Sequence, residues 1–295
     1  MSVRIAKNSG FCFGVKRAIR IALEAAKTHE SIVTLGPIIH NPQMVNKLAS
    51  EGITSVDRLD DIRGRTTIIR SHGVKKEILQ KLNEDKISII NATCPYVSKT
   101  QEHGEMLSRE GYRVIILGDK DHPEVQALRS YLEGEVIIVE KAEDLPDIRF
   151  DKVGIICQTT RNIFDLQNLA EVLIPRSHEI RIMNTICNAT SVRQASTIEL
   201  AKNSDLMIVI GGKNSSNTKM LAKISENFVK TYHIETEREI ECNWFVGKEN
   251  IGITAGASTP DWIIVEVHNK IIECMGNLTK KVDKIEDIPG FKEDE

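Results

Sequence analysis

The chain has 295 residues, of which 41% are hydrophobic and 27% charged, which is ordinary for a soluble globular protein with a sizeable core. Its 39 basic residues stand against 42 acidic ones, and the net charge of −3 argues against a general nucleic-acid binder. Residues 1–10 lack the apolar stretch of a signal peptide and no apolar run could span a membrane, so we expect a cytoplasmic protein. There, six cysteines are expected to be thiols, metal ligands or redox groups rather than structural disulfides.

Short apolar strands alternate with helical segments along the chain. Val15, Ile19 and Ala22 fall on one face of the first predicted helix. The predicted strands are Val33–Leu35, Thr66–Arg70, Ile87–Ile90, Arg113–Leu117, Val136–Val139, Val153–Cys157, Ile180–Met183, Leu206–Ile210 and Ile251–Thr254. This alternation predicts an α/β fold with largely parallel sheets.

The spacing of three cysteines indicates a threefold internal repeat. In each copy a strand runs into the cysteine, a helix follows, and a further strand ends in an apolar residue and glycine. A polar residue comes 28 positions after each cysteine (40−12, 122−94 and 215−187). The pairs are Cys12 and His40, Cys94 and His122, and Cys187 and Ser215.

A second polar position recurs, with looser spacing, after the next strand of each copy, at His72, Thr159 and Ser258. All these positions lie in loops that lead from a strand into a helix, where parallel α/β sheets bind their ligands. We therefore expect three similar α/β modules around a pseudo-threefold axis that aim these side chains at one central cavity. Backbone N–H groups at the helix starts would favour an anion there.

The predicted modules cover residues 13–93, 94–186 and 187–280, followed by a charged tail, 281–295, to which we assign no function. The third module lacks a closing strand of its own. The N-terminal segment 1–12 could supply it through a strand at Val3–Ala6, which would tie the N-terminus to the last module.

Three thiolates in one cavity suit either zinc or an iron–sulfur cluster. Structural zinc sites typically contain CxxC pairs, and the chain has none. A [4Fe–4S] cluster on three cysteines leaves one iron open as a Lewis acid while the cluster supplies electrons. The other cysteines lie outside the register and are expected to be buried or incidental thiols: Cys157, Cys242 and Cys274.

Ser216 and Asn217 add further donors to the same loops, so the predicted cavity is rich in groups that bind anions. Glu124 opens a helix directly after His122. It is either a proton donor in the cavity or a helix-start carboxylate that only interacts with the helix dipole. Two other functions stay open from the residues alone: a cluster-based redox sensor or carrier without catalysis, and a zinc-stabilised phosphate-binding module.

Nine short motifs, in order up to about Met275, resemble those of the 4-hydroxy-3-methylbut-2-enyl diphosphate reductase family. They are Gly10-Phe11-Cys12-Phe13-Gly14-Val15, His40-Asn41-Pro42, Ser71-His72-Gly73, Ala92-Thr93-Cys94-Pro95, His122-Pro123-Glu124-Val125, Gln158-Thr159-Thr160, Thr185-Ile186-Cys187, Asn214-Ser215-Ser216-Asn217 and Gly256-Ala257-Ser258. Two departures lie beside these positions. Asn91 stands where the family pattern leads us to expect Asp, and Cys157 adds an oxidisable thiol near Thr159.

The resemblance implies one [4Fe–4S] cluster held by Cys12, Cys94 and Cys187, with Glu124 in proton delivery. The residues it implies in contact with the diphosphate or hydroxyl group are His40, His72, His122, Thr159, Ser215, Ser216, Asn217 and Ser258.

The implied reaction removes an allylic hydroxyl group with two electrons and two protons. It gives isopentenyl and dimethylallyl diphosphate in the last step of the non-mevalonate isoprenoid pathway. The implied partners are this small allylic diphosphate and an electron donor such as ferredoxin or flavodoxin. We expect a monomer without nucleic-acid or membrane partners.

Overall fold

The structure, a computed structural model, describes residues 2–276 and 281–282. These residues form three β-sheets whose strands are all parallel and are connected by helices, so the fold class is α/β, as the sequence predicts. The strands are β1 (Ser2–Ile5), β2 (Ile32–Leu35), β3 (Ile53–Val56), β4 (Thr66–Ile69), β5 (Ile89–Asn91), β6 (Arg113–Leu117), β7 (Val136–Val139), β8 (Phe150–Cys157), β9 (Ser177–Met183), β10 (Leu206–Ile210), β11 (Thr231–Ile234), β12 (Asn250–Ala255) and β13 (Lys281–Val282). The α-helices are α1 (Phe13–Ala26), α2 (Pro42–Ser50), α3 (Lys76–Glu84), α4 (Pro95–Arg109), α5 (Pro123–Ser130), α6 (Ile163–Leu173), α7 (Asn188–Ala201), α8 (Ser216–Glu226) and α9 (Asp261–Met275).

The three sheets share one strand order, which makes them three similar modules. The orders are β3-β2-β4-β5, β7-β6-β8-β9 and β11-β10-β12-β1, with β13 added beyond β1 in the last. In this third sheet, β1 takes the place that β5 and β9 hold in the others, and Val3 pairs with Ile251. The N-terminus therefore supplies the closing strand, as predicted for Val3–Ala6. Of the predicted tail 281–295, all but Lys281–Val282 lies outside the described residues.

The chain divides into two compact units. One comprises the chain up to Phe13, His40–Met44 and the chain from Asn188, and it contains the third sheet. The other comprises Gly14–Ile39 and Val45–Cys187, and it contains the first two sheets. None of the helices in residues 2–276 has the length and apolar character that crossing a bilayer requires.

The central strands are apolar along most of their length because packed side chains cover both of their faces. In the second sheet, Ile115 and Ile155 pack in one cluster with α6, and Ile116 and Ile156 pack in another with α5, all with no exposed surface. In the third sheet, β10 and β12 pack against the apolar face of α9. These rigid sheets hold the strand-to-helix loops that carry the polar residues of the repeat.

Several of these loops end in a residue that starts the next helix. Cys94 and His122 are the N-cap residues of α4 and α5, and a proline follows each of them at the first helical position. Ser215 caps α8 by accepting a hydrogen bond from the Thr218 backbone N–H at 3.3 Å. Helix capping thus fixes repeat residues at the helix starts.

The nine predicted strands are all present, with ends shifted by at most three residues. Three further edge strands, β3, β11 and β13, were not predicted from the sequence. The expectation that Cys242 and Cys274 are thiols was wrong, because the two form a disulfide. The short helix Cys242–Phe245 packs on α9 and brings their Cα atoms to 5.0 Å, within the range that a disulfide requires.

Candidate active site

The three cysteines of the repeat share one local geometry. Each lies in the loop between the fourth strand of the shared order (β1, β5 or β9) and the first residue of the next helix. The backbone N–H of each cysteine donates to a carbonyl in the loop that follows the adjacent strand. The pairs are Cys12 with Ala257 (3.1 Å), Cys94 with Ser71 (3.0 Å) and Cys187 with Thr159 (3.0 Å). In every copy the cysteine therefore lies beside the second polar position, which is occupied by Ser258, His72 and Thr159.

The same three thiols have the chemical setting of metal ligands. Cys12, Cys94 and Cys187 are partly exposed and are not part of the disulfide. The N–H groups at the helix starts next to them favour negatively charged ligands. In contrast, Cys157 has no exposed surface, and burial raises the pKa of its thiol to about 12, so it stays protonated. The donor set of the repeat cysteines fits an iron–sulfur cluster, whereas Cys157 does not belong to it.

His72 and His122 form an edge-to-face pair in the unit that contains the first two sheets. Their ring centroids are 5.6 Å apart and the ring planes are at 84°. The Nδ1 atom of His122 accepts a hydrogen bond from the Glu124 backbone N–H at 3.2 Å. Because Nδ1 is the acceptor, the proton of the neutral ring is on Nε2, which makes that nitrogen a hydrogen-bond donor.

Glu124 is a buried carboxyl group with both oxygens hydrogen-bonded by one residue. Only 2% of Glu124 is exposed. The Thr159 backbone N–H donates to Oε1 at 2.7 Å, and the Thr159 hydroxyl donates to Oε2 at 2.9 Å. Burial raises the pKa of the Glu124 carboxyl above its ordinary value, and the two hydrogen bonds from Thr159 lower it by less. The group therefore holds a proton to higher pH than an exposed glutamate does.

These contacts join into one path within this unit. The path runs from Cys94 through Ser71 and the adjacent His72 to the ring of His122, then through Glu124 and Thr159 to Cys187. Residues that are far apart in the sequence are thus brought into one chain of direct contacts. The path connects two of the repeat cysteines, a histidine pair and the candidate proton donor.

In the other unit, Ser258 and the loop at Gly212 lie against the backbone of His40. The Ser258 hydroxyl donates to the His40 carbonyl at 3.0 Å. A Cβ atom on Gly212 would lie 2.7 Å from the same carbonyl oxygen, so only glycine permits this close approach.

Asn217 is 4% exposed, and neither atom of its amide has a hydrogen-bond partner among the described residues. An orphaned buried amide is costly, and it fits a group that hydrogen-bonds a bound ligand.

Two arginines that the sequence reasoning missed brace the cysteine loops. Arg17 donates to the Thr93 carbonyl at 3.0 Å, one residue before Cys94. Arg193, which is 3% exposed, donates to the Gly10 carbonyl at 2.7 Å, two residues before Cys12. A basic residue in the second turn of a helix that follows a repeat cysteine was the available signal, since Arg17 and Arg193 both occupy such positions.

The side chain of Asn91, one of the two departures from the family pattern, has a local structural role. Its Oδ1 atom accepts a hydrogen bond from the Thr93 backbone N–H at 2.9 Å and so forms a tight turn just before Cys94. An aspartate would offer the same acceptor oxygen. The replacement therefore preserves this turn.

The chain matches the family model described as LytB protein over residues 3–272. The 4-hydroxy-3-methylbut-2-enyl diphosphate reductase of Geobacter sulfurreducens is 48% identical to it over 277 residues, which is 92% of this chain and 98% of that protein. The enzyme of the same name from Trichlorobacter lovleyi is 47% identical over 273 residues, again 92% of this chain and 98% of that protein.

Solved structures of similar proteins agree. One is (E)-4-hydroxy-3-methyl-but-2-enyl diphosphate reductase, the terminal enzyme of the non-mevalonate pathway, with 45% identity, a TM-score of 0.67 and coverage of 92% of this chain and 99% of that chain. Another is the E-1-hydroxy-2-methyl-but-2-enyl-4-diphosphate reductase of Plasmodium falciparum, with 29% identity, a TM-score of 0.85 and coverage of 90% and 86%. On the family match and the identity to these relatives, this chain belongs to the LytB family.

Proposed function

We propose that this chain is a 4-hydroxy-3-methylbut-2-enyl diphosphate reductase, which acts at the last step of the non-mevalonate isoprenoid pathway. The reaction breaks the allylic C–O bond, forms a C–H bond and releases the hydroxyl oxygen as water. It consumes two electrons and two protons and yields isopentenyl and dimethylallyl diphosphate. The relatives at 47% and 48% identity carry the name of this reductase over nearly their whole length.

The observation that carries the proposal is the path of contacts that surrounds Glu124. A buried carboxyl with a raised pKa keeps its proton to a higher pH than an exposed carboxyl and is therefore suited to act as a general acid. It contacts Thr159 directly and lies next to His122, both predicted to bind the substrate. Hydrogen bonds connect this acid to a proposed substrate-binding residue and, through Thr159, to the proposed ligand Cys187. Such an arrangement suits a proton-coupled reduction, whereas an electron carrier needs no buried proton donor.

The proposal includes one [4Fe–4S] cluster held by Cys12, Cys94 and Cys187. The repeat register and the shared position beside a helix start support this set. When bound, the cluster supplies electrons and an open iron as Lewis acid. The partly buried Arg17 and the buried Arg193 hold the backbone beside two of the cysteines and so would position these ligands.

The diphosphate is proposed to bind side chains at the strand-to-helix loops of the repeat. The donors are His40, His72, His122, Ser215, Ser216, Asn217 and Ser258, with Thr159 near the hydroxyl group. His122 contributes its Nε2–H because its Nδ1 already accepts from the Glu124 backbone. The Asn217 amide nitrogen, which has no partner among the described residues, can donate to the bound anion.

Proton delivery is assigned to Glu124 together with Thr159. When Glu124 is protonated at Oε2, the carboxyl and the Thr159 hydroxyl exchange donor and acceptor roles across their 2.9 Å contact. The Thr159 hydroxyl can then pass a proton on from the buried carboxyl, which is itself 2% exposed. The departing hydroxyl group receives this proton and leaves as water.

The electrons are proposed to come from a protein carrier such as ferredoxin or flavodoxin, and the enzyme to act in the cytoplasm as a monomer. We keep the module boundaries at 13–93, 94–186 and 187–280 as part of the proposal. They are supported by the sheets, because β2–β5, β6–β9 and β10–β12 fall within these ranges and β1 joins the last.

The test is anaerobic purification followed by iron and sulfide analysis and a turnover assay. Reduced methyl viologen would serve as donor, and the products would be identified by gas chromatography after phosphatase treatment. We expect about four iron and four sulfide per chain, as in a [4Fe–4S] protein, and formation of both isoprenoid diphosphates. A colourless zinc protein, or a cluster-loaded protein that forms no product, would reject the proposal.

A further inference from the structure

The loop Gly211–Ser215 connects β10 to α8 and leads into the proposed diphosphate-binding residues Ser215, Ser216 and Asn217. It begins with two glycines, and Gly211 has a φ of 144°, a conformation that other residues rarely adopt. Such a loop is intrinsically free to take many conformations. Something must therefore hold it in the one conformation that the structure describes.

Three successive residues at the end of β11 bond to the backbone of this loop. The His233 ring, through Nε2, donates to the Gly211 carbonyl at 2.8 Å. The Gly211 N–H donates to the Ile234 carbonyl at 2.9 Å. The Lys213 N–H donates to Oε1 of Glu235 at 2.6 Å.

The Lys213 side chain adds a further link. Its ammonium group pairs with Oε2 of Glu239 at 3.1 Å and also contacts the His233 carbonyl. The loop is thus fastened at Gly211 by a ring and at Lys213 by two carboxylates. None of the three side chains belongs to the predicted substrate-binding set.

We propose that His233, Glu235 and Glu239 are positioning residues that hold the Gly211–Ser215 loop in its ligand-ready conformation and thereby set the affinity for the diphosphate group. This inference rests on the proposed function for the identity of the ligand. The loop is fixed before the ligand arrives, so binding does not have to order it. The buried amide of Asn217 is then already in place two residues beyond the helix cap.

Histidine suits this role as a neutral donor. Burial lowers the pKa of His233, and the nearby Lys213 lowers it further, whereas the bond to Gly211 and the two glutamates raise it by less in sum. The neutral ring still donates through Nε2–H to the carbonyl. A glutamine at this position would place an amide N–H near the same point, whereas a phenylalanine would fill the space without a donor.

The test compares His233→Phe, His233→Gln and Glu235→Ala with wild type in the cluster-loaded protein. Loss of a neutral hydrogen bond corresponds to about a 3- to 10-fold change in an equilibrium constant. We expect His233→Phe and Glu235→Ala to raise KM for the substrate and Kd for inorganic diphosphate by about this factor, with kcat changed less than about 2-fold. His233→Gln should restore both values towards wild type. Exchange of backbone hydrogens at residues 211–217 should quicken in the two damaging variants only.

The matched control is His178→Phe, which replaces an exposed histidine on β9 and should change none of these values. Unchanged diphosphate affinity in both damaging variants would overturn the proposal, as would a fall in kcat at constant KM. If wild type binds diphosphate but forms no product, the proposed reductase function is rejected. The binding data then still test whether His233 and Glu235 position the loop. If wild type binds no diphosphate, both fail.

Discussion

Burial makes the Glu124 carboxyl a weaker acid than an exposed glutamate. Desolvation favours its neutral form, and the bonds from Thr159 offset this only in part. The repeat spacing predicts that Glu124 and Thr159 share one edge of a sheet. It does not predict that they bond to each other, because a contact between residues 35 apart depends on how two loops pack and leaves no local pattern.

Replacing Glu124 with glutamine should separate proton delivery from folding. The amide oxygen can accept from the Thr159 backbone and the amide N–H can donate to its hydroxyl, so both existing contacts have a substitute. We expect Glu124→Gln to fold, load its cluster and bind diphosphate, but to lose about 10²–10⁴-fold in turnover, the usual contribution of a general acid. Turnover and iron content should be measured on one anaerobic preparation. The control is the exposed Glu133→Gln, and near-normal turnover in Glu124→Gln would remove this residue from the mechanism.

The raised pKa of Glu124 also predicts how stability changes with pH. Folding raises this pKa above its ordinary value of 4.5, so the folded state favours the protonated carboxyl. The stability that this provides is present in full below pH 4.5 and is lost as pH rises through the folded pKa. Glutamine cannot ionise, so wild type should lose stability relative to Glu124→Gln as pH increases above that value. Denaturant unfolding of both proteins from pH 4.5 upward would measure the difference in stability, and a difference that shrinks or reverses as pH rises would contradict the assignment.

At the scale of elements, the same unit recurs at every repeat cysteine: a strand, a cysteine beside a helix start, and a bond back to the adjacent loop. The sequence could predict this unit because the spacing of 28 residues is preserved in all three copies. It could not predict the disulfide between Cys242 and Cys274, because that pair lies outside the repeat and depends on how one short helix packs on α9.

This difference between the cysteines leads to a prediction about iron loading. Cys12→Ser, Cys94→Ser or Cys187→Ser should each abolish stable cluster loading, because each removes one of three protein ligands. The double variant Cys242→Ser/Cys274→Ser should load a full cluster, because the two sulfur atoms that it removes are bonded to each other in a disulfide. Iron per chain after anaerobic reconstitution is the measurement. Equal iron content in the single variants and the double variant would contradict the ligand assignment.

The three strands that were not predicted from the sequence, β3, β11 and β13, are all edge strands of their sheets. β3 reads Ile-Thr-Ser-Val and β11 reads Thr-Tyr-His-Ile, and each is only partly buried, so neither has the continuous apolar run of a central strand. The equivalent edge strand of the second sheet, β7, is Val-Ile-Ile-Val and was predicted. The strand order of the second sheet, applied to the other two copies of the repeat, predicts β3 and β11 as the counterparts of β7, and β11 carries His233.

At the scale of the whole molecule, the repeat explains why the two ends of the chain share a sheet. Each sheet needs a fourth strand that leads into a cysteine, and in the third sheet the chain supplies it from its N-terminus. The α/β class and this closing strand were predictable because they follow from alternation and from counting strands per copy. Side-chain pairs within the loops were not, because they follow from packing.

The closing strand should therefore contribute to stability far more than its four residues suggest. Val3 has no exposed surface and packs in one cluster with Ile251 and Ile253 of β12. Val3→Ala removes two buried methyl groups and should lower the free energy of unfolding by about 1.5–3 kcal/mol, from lost transfer energy and the cavity left behind. The same substitution at Val246, which is 78% exposed, is the matched control and should change it by less than about 0.5 kcal/mol. Denaturant unfolding of the two variants decides the question. Equal stability would mean that β1 adds no packing energy to the third sheet, and that the N-terminus does not complete this module.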